Sequence, residues 1–407
     1  MMDAKRILVL TPRFPYPVIG GDRLRIYRIC RELSDRYRLT LLSLCSSRAE
    51  MAAPADDGTF TEVHRVYLPP PRSCVQTLAA LPTSRPMQLA YFYSPRFQRA
   101  VERLYKQHDL VLAHLIRTGQ YVEHLAGPPK VLEMTDAISM NYARFRENGR
   151  RTSPRHRLYA LEAERLRRYE QQTLGAFDLV SLVSDVDRRF LAGGSSASLG
   201  HVQVFGNGVE VARLEAEEVG QPAIAFIGNM HTAQNVDACE YFCDEVLPRL
   251  ARRIPGIRFR IVGIGPRRVL RRFAARKGVE TTGQVDCVAE AARGAFCGVC
   301  PMRFGAGVQN KVLEYLAMGL PAVVTPLGLE GIGARPERDI LVGDDPEEIA
   351  GQVLRLHRER ALRRRLRENG QAFVLREHDW SRLLAGLGAE VDRLVGVEPR
   401  RTLRRAA

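Results

Sequence analysis

The chain lacks several things that would place it in a simple class. No run approaches the roughly 20 apolar residues a membrane-spanning helix needs. The apolar stretch after Lys5-Arg6 is cut off at Pro12-Arg13, too short for a signal peptide. No second Cys or His pair at zinc-ligand spacing accompanies Cys297-Gly-Val-Cys300, and no internal repeat or low-complexity linker is present. These absences argue against a membrane-spanning, secreted, zinc-finger or solenoid protein. With no export signal, Cys30, Cys45, Cys74, Cys239, Cys243, Cys287, Cys297 and Cys300 are expected in a reducing compartment, as small buried hydrophobes without disulfides. Lysine is scarce as well, at only five of the 61 cationic positions.

What is present is arginine. The formal net charge is +15, which favours anionic partners such as phosphate sugars, anionic lipid or nucleic acid. The densest part, Arg144 to Arg168, carries nine arginines against three glutamates and runs into a strong helix former. A solvated helix face held by Glu-Arg pairs ranks first for this region. A patch facing an anionic membrane ranks second. Nucleic-acid binding ranks last, because no such motif and no aromatic interleaving occur.

A chain of 407 residues exceeds what one hydrophobic core usually supports, which predicts two domains. Ile7 to Thr11 is a short apolar run followed by Pro and Gly turn residues and a helical pattern from Arg23 to Leu33. Similar strand runs follow at Leu39–Leu44, Val63–Leu68, Leu110–His114, Lys130–Met134 and Leu179–Val183. The pattern restarts after Asn207-Gly208 with Ala223–Ile227, Phe259–Val262, Gly298–Cys300 and Ala322–Thr325. Strands alternating with helices predict an α/β protein of two doubly wound, parallel-sheet domains. The tail from Ala361 to Leu394 is helical in composition and holds the one tryptophan, Trp380. In such sheets ligands bind outside the carboxyl ends of the strands, so the loops there are the place to look for chemistry.

The segment Pro301 to Thr325 reads as strand, glycine loop, helix, Gly-Leu-Pro turn, strand. Gly305 and Gly307 let backbone approach a ligand, and a helix starting near Val308 aims free amides and its positive dipole end at the same place. That combination suits a diphosphate. Lys311, in the first turn, would neutralise phosphate charge. Glu314, about two turns in, would accept hydrogen bonds from a ribose diol. The plainer reading makes both ordinary exposed helix residues. Asp185-Val-Asp187 has the look of a metal-binding pair, but its place after Ser184 and before Arg188-Arg-Phe-Leu191 fits a helix N-terminus better.

The segment resembles the nucleotide-sugar loop of retaining glycosyltransferase family 4, and particularly the exosortase-associated exopolysaccharide transferases, through Gly307-Val-Gln-Asn-Lys-Val-Leu-Glu314. Further blocks occur in the family's order: Pro12-Arg-Phe-Pro-Tyr-Pro17, Gly20-Gly-Asp-Arg23, Ser181-Leu-Val-Ser-Asp185, Phe205-Gly-Asn-Gly-Val209, Phe226-Ile-Gly-Asn-Met230, Asn235-Val-Asp237 and Thr282-Gly-Gln-Val285. The chain departs from the pattern at Ala306, where the family has a glutamate. It departs again at Gly228-Asn229-Met230-His231, which lacks the family's arginine and lysine for the diphosphate.

The resemblance implies a GT-B fold, two Rossmann-like domains facing a cleft. Residues 1–205 form the acceptor side, 206–375 the nucleotide-sugar side, and 376–407 a helix returning to the first domain with a basic tail. It further implies donor binding by Gly20, Gly21, Arg23, Gly228, Asn229, Gly305, Gly307, Val308, Gln309, Asn310, Lys311 and Glu314, with Arg23 or Arg303 sharing the phosphate charge. His114, Asp136 and Asp22 are candidates for catalytic or acceptor-orienting work. The expected activity is sugar transfer with retention from a nucleotide diphosphate sugar to a glycan or lipid-linked acceptor, without metal or other cofactor and without nucleic acid. The expected place is the cytoplasm, at the inner face of a membrane if the basic region meets lipid. Two alternatives are a degenerate protein that binds a nucleotide sugar without turnover, and an epimerase or hydrolase of similar fold.

Overall fold

The unbroken apolar runs become strands of two parallel sheets, since a strand covered by helices on both faces has no polar side to show. A computed structural model of the chain describes residues 4–148, 154–193, 200–210, 222–305 and 307–398, with the side chains of 145–148 and 154–157 outside the description. It divides into two units, Met1–Gly206 with Ser381–Ala407, and Asn207–Trp380.

The first unit holds β1 (Arg6–Thr11), β2 (Arg38–Cys45), β3 (Glu62–Tyr67), β4 (Leu110–His114), β5 (Lys130–Thr135), β6 (Leu179–Leu182) and β7 (Val202–Val204). Their order is β3-β2-β1-β4-β5-β6-β7. At its centre Ile7 pairs with Leu39 on one side and Leu110 on the other, all three fully buried. The last helix, Trp380–Val395, belongs to this unit from Ser381 onward. There Asp392 accepts hydrogen bonds from Arg36 and from the Tyr37 hydroxyl.

The second unit holds β8 (Ala223–Ile227), β9 (Arg258–Val262), β10 (Val279–Thr281), β11 (Ala295–Cys300), β12 (Ala322–Val324) and β13 (Leu341–Val342), in the order β10-β9-β8-β11-β12-β13. Trp380 closes this unit: its ring lies where a Cβ on Gly208 would come within 2.5 Å, so only glycine fits there.

Several expectations are corrected. β7, β10 and β13 went unread, because edge strands of two or three residues that are partly exposed carry no periodic signal. The strand read at Gly298–Cys300, inside the apolar run from Ala295 to Met302, spans Ala295–Cys300. The helical tail is two helices, Arg360–Glu377 and Trp380–Val395, parted at His378 and Asp379. Cys74 and Cys287 are exposed, whereas the other six cysteines are buried as expected. Among the described residues no helix is long and apolar enough to cross a membrane.

Candidate active site

In the second sheet the chain winds outward from β8 to β10, then jumps to β11 and winds the other way. The winding therefore reverses between β8 and β11, and the loops after these two strands lie at the carboxyl ends where sheets of this kind bind ligands. Residues after β8 are Gly228 and Asn229. Those after β11 run from Pro301 to Gln309, ahead of the helix Asn310–Ala317. This helix starts two residues later than expected, so the glycine loop is longer and Glu314 lies little more than one turn in. Gly305 (φ 144°) and Gly307 (φ 70°) take backbone angles that a side chain would strain. Ala306 lies outside the described residues.

Tyr315 fixes the helix to both strands at the reversal: its hydroxyl accepts from the Ile227 amide at 2.8 Å and donates to the Val299 carbonyl at 3.1 Å. Gly298 lets the ring in, for a Cβ there would stand 2.6 Å from it. Asn207 Nδ2 donates to Asn310 Oδ1 at 2.8 Å and steadies the first turn. The residue at the N-cap, Gln309, makes no side-chain cap bond, so no protein side chain answers the amide end of the helix from that position.

Lys311 is not an exposed helix residue, as the plainer reading had it. It is 8% exposed, with Nζ donating to Asn235 Oδ1 at 2.6 Å and lying 4.8 Å from the Phe226 ring centre. Asn235 Nδ2 donates in turn to the Asn229 carbonyl at 3.0 Å, so one amide joins the loop after β8 to the lysine. Among the described residues no carboxylate pairs with Lys311. A nearly buried cation answered by an amide and a ring face leaves net positive potential beside the helix N-terminus. Glu314 is half-buried, and burial raises its carboxyl above the ordinary value despite the charge of Lys311. Arg303, expected to share the phosphate charge, is engaged: it forms an ion pair with Asp237 and stacks 4.8 Å from the Tyr241 ring centre.

In the first sheet the winding reverses between β1 and β4. The loop after β1 brings Gly20 (φ 98°), Gly21 and Asp22 to that edge. Asp22 accepts from Arg13 at 3.4 Å, and Arg23 pairs with Glu50 at 2.7 Å. His114, expected at an open edge, is buried at 3% exposure and its Nδ1 donates to Glu133 Oε2 at 2.6 Å. Arg25, 1% exposed, donates through Nε to the other Glu133 oxygen at 2.6 Å and through its terminal nitrogens to the Gly206 and Phe205 carbonyls, each at 2.9 Å. Burial alone would raise the Glu133 carboxyl, but Arg25 and His114 outweigh it and hold it down at about 2.

Asp136 has the opposite character. It follows Thr135, whose φ of 66° turns the chain sharply out of β5. Burial, with Asp187 next in weight, pushes its carboxyl up to about 7, against the nearby Arg117. The charges of Arg13, Asp22 and Asp136 all act on Arg117, which places these four groups around one strand-end cluster. Asp187 is structural: it is fully buried, accepts from the Ala137 amide at 2.9 Å, and its own amide donates to the Ser184 N-cap at 3.2 Å.

Reading the sequence missed Arg25, Glu133 and Tyr315 as site-building residues. Glu133 alone gave a signal, as a carboxylate inside an apolar strand that must find a cation.

Residues 221–359 match the family model described as glycosyl transferases group 1. No protein of curated function matches the sequence. Among solved structures, sucrose-phosphate synthase from Thermosynechococcus elongatus matches over 96% of this chain and 99% of its own, at 15% identity and TM-score 0.74. The Anabaena protein HepE, in complex with UDP and glucose, matches over 96% and 100% at 12% identity and TM-score 0.67. TarM matches over 97% and 99% at 9% identity and TM-score 0.67.

The fold is GT-B. At such low identity the structural likeness speaks for the fold and nothing finer. The stretch matching the glycosyl transferase model contains Gly228, Asn229, the whole loop from Gly305 to Gln309, Lys311 and Glu314. In this GT-B chain the residues after β8 and β11 thus form one connected cluster around Asn235. Gly20, Gly21, Asp22, Arg23, His114 and Asp136 belong to the other unit and its own strand ends.

Proposed function

We propose that the protein is a glycosyltransferase that takes a sugar from a nucleotide diphosphate sugar and passes it, with retention, to a glycan or lipid-linked acceptor. The observation that carries this reading is the nearly buried Lys311, paired with no carboxylate among the described residues, on a helix whose N-cap residue Gln309 makes no side-chain cap bond, at the point where the sheet reverses. A diphosphate supplies the anion this arrangement lacks. The group 1 match over the same residues supports the assignment, as does HepE, whose structures contain UDP and glucose or UDP-glucose.

In this reading the loop amides at Gly307 and Val308 and the Lys311 cation meet the negative charge growing on the leaving diphosphate, with no metal ion assigned a part. Gly228 and Asn229 form the opposite wall of the donor site, and Gln309, Asn310 and Glu314 orient the nucleoside end. Asp136, poised near neutrality, is the group suited to take the acceptor hydroxyl's proton. His114 and Glu133 act as positioning residues beneath it, while Gly20, Gly21 and Arg23 line the acceptor side. The enzyme works in the cytoplasm, and its product enters an exopolysaccharide or another cell-surface polysaccharide.

A panel of UDP, GDP, TDP and ADP sugars tests the reading by thermal stabilisation, and by nucleotide release with and without lipid-linked acceptors. One donor should stabilise the protein and release its nucleotide only with acceptor, and Lys311→Ala should lose both. Stabilisation without turnover on any acceptor would favour a binding protein. Turnover of the sugar nucleotide without acceptor would favour a hydrolase or epimerase.

A further inference from the structure

From Val63 to Val101 the sequence has no aspartate or glutamate, although the chain holds 46, and it carries Arg65, Arg72, Arg85, Arg96 and Arg99. Within this window the helix Pro70–Ala80 turns an apolar side to solvent: Val75 is 65% exposed and Leu78 64%, the highest values for large hydrophobic side chains among the described residues. Exposed Pro71 stands one turn before Val75, and Leu81, 36% exposed, follows the helix. Leu158 and Leu161, at 40% and 43%, lie on the helix Pro154–Leu174. That helix is held against the end of the first, because Arg165, one turn beyond Leu161, donates to the Leu81 carbonyl at 2.9 Å and the Ala80 carbonyl at 3.4 Å. Leu161 lines a groove of about 750 Å³ together with Arg85, Arg165 and Arg168 and the two acids Glu123 and Glu164.

We infer that this face of the first unit docks on an anionic lipid bilayer, setting Val75, Leu78, Leu81, Leu158 and Leu161 into the headgroup–acyl boundary and Arg72 and Arg85 against lipid phosphates. Five exposed aliphatic side chains, three of them in a window that holds arginines and no acids and two on the neighbouring helix beside Arg165, Arg168 and Glu164, have the composition of an interfacial surface. Charge favours lipid over a second copy of the chain, since an isologous pairing about Pro70–Ala80 would set the arginines of the acid-free window against one another, with Glu164 of the neighbouring helix already paired to Arg168. Of the Arg144–Arg168 region first considered for this role, residues 149–153 and the side chains of 145–148 and 154–157 lie outside the described residues. The surface rests on Pro70–Ala80 and the described part of the neighbouring helix, and it does not depend on the donor-site reading.

The test is co-sedimentation of the full chain with vesicles of phosphatidylcholine alone and of phosphatidylcholine with about 30% phosphatidylglycerol, at low and high salt. The protein should bind the anionic vesicles at low salt and release at high salt. Val75→Ser with Leu78→Ser should weaken binding about ten-fold or more, and Arg72→Gln several-fold. Both variants change exposed positions, and an unchanged thermal midpoint would confirm that they are folded. Wild-type protein that stays in the supernatant, or a double serine variant that binds like wild type, overturns the inference. So does sedimentation equilibrium showing a dimer that the double serine variant loses, which would assign the face to a second copy.

Discussion

The two points of sheet reversal are built alike and charged differently. After β1, β4 and β5 Arg25 and His114 close on Glu133, and the guanidinium also donates to two backbone carbonyls and to the Ser181 hydroxyl. After β8 and β11 the buried cation Lys311 is met by the neutral amide of Asn235 and, among the described residues, pairs with no carboxylate. A closed set of charges holds structure, and an open one waits for an ion of opposite sign. The same contrast separates two carboxyls within the first unit. Glu133 is held ionised at about 2, whereas Asp136, three residues further along the same strand end, is lifted to about 7.

The contrast is broken most forcefully at Arg25. Arg25→Ala leaves Glu133 buried without its cation and should lower unfolding free energy by about 3–5 kcal/mol in urea titration. Asp136→Asn comes next. On the proposed role it should reduce turnover roughly 100-fold and remove an activity rise centred near pH 7, because the base works only when deprotonated.

Lys311→Met should weaken diphosphate affinity roughly ten-fold or more in calorimetry while leaving thermal stability unchanged or raised, the reverse of Arg25→Ala. An equal loss of stability in both variants would erase the distinction between a closed and an open charge set.

Stability against pH sharpens the two carboxyls. Glu133, depressed when folded, contributes stability above about pH 4.5 that is lost as pH falls toward 2. Asp136, raised from 3.8 to about 7, keeps an extra proton in the folded state between those values, so it costs stability as pH rises through that window. Asp136→Asn should therefore flatten the decline from about pH 4 to 7 and leave the acid limb in place. Tyr315→Phe strips the buried Ile227 amide and Val299 carbonyl of their partner and should cost about 1–3 kcal/mol in urea titration, less than Arg25→Ala.

Much of the fold was legible because parallel strands buried on both faces leave unbroken apolar runs, as Ile7–Leu10 and Ala223–Ile227 do. The short edge strands were not, since two or three half-exposed residues carry no period. At the donor side the glycines and the helix start were readable from their spacing. The inward turn of Lys311 was not, because Asn235, Met302 and Phe226 reach it from 76, nine and 85 positions away in a way no local pattern records.

The sequence by itself determined the alternation of strand and helix, the restart after Asn207-Gly208, the glycine loop ahead of a helix and the positive balance of charge. These follow from local conformational preference and from composition, which need no distant partner. Tertiary structure alone decided which charges close on one another. It set Arg25 against Glu133 across 108 positions and left Lys311 with an amide. The energy of a buried charge depends on what lies within a few ångströms of it in space, and chain order does not fix that.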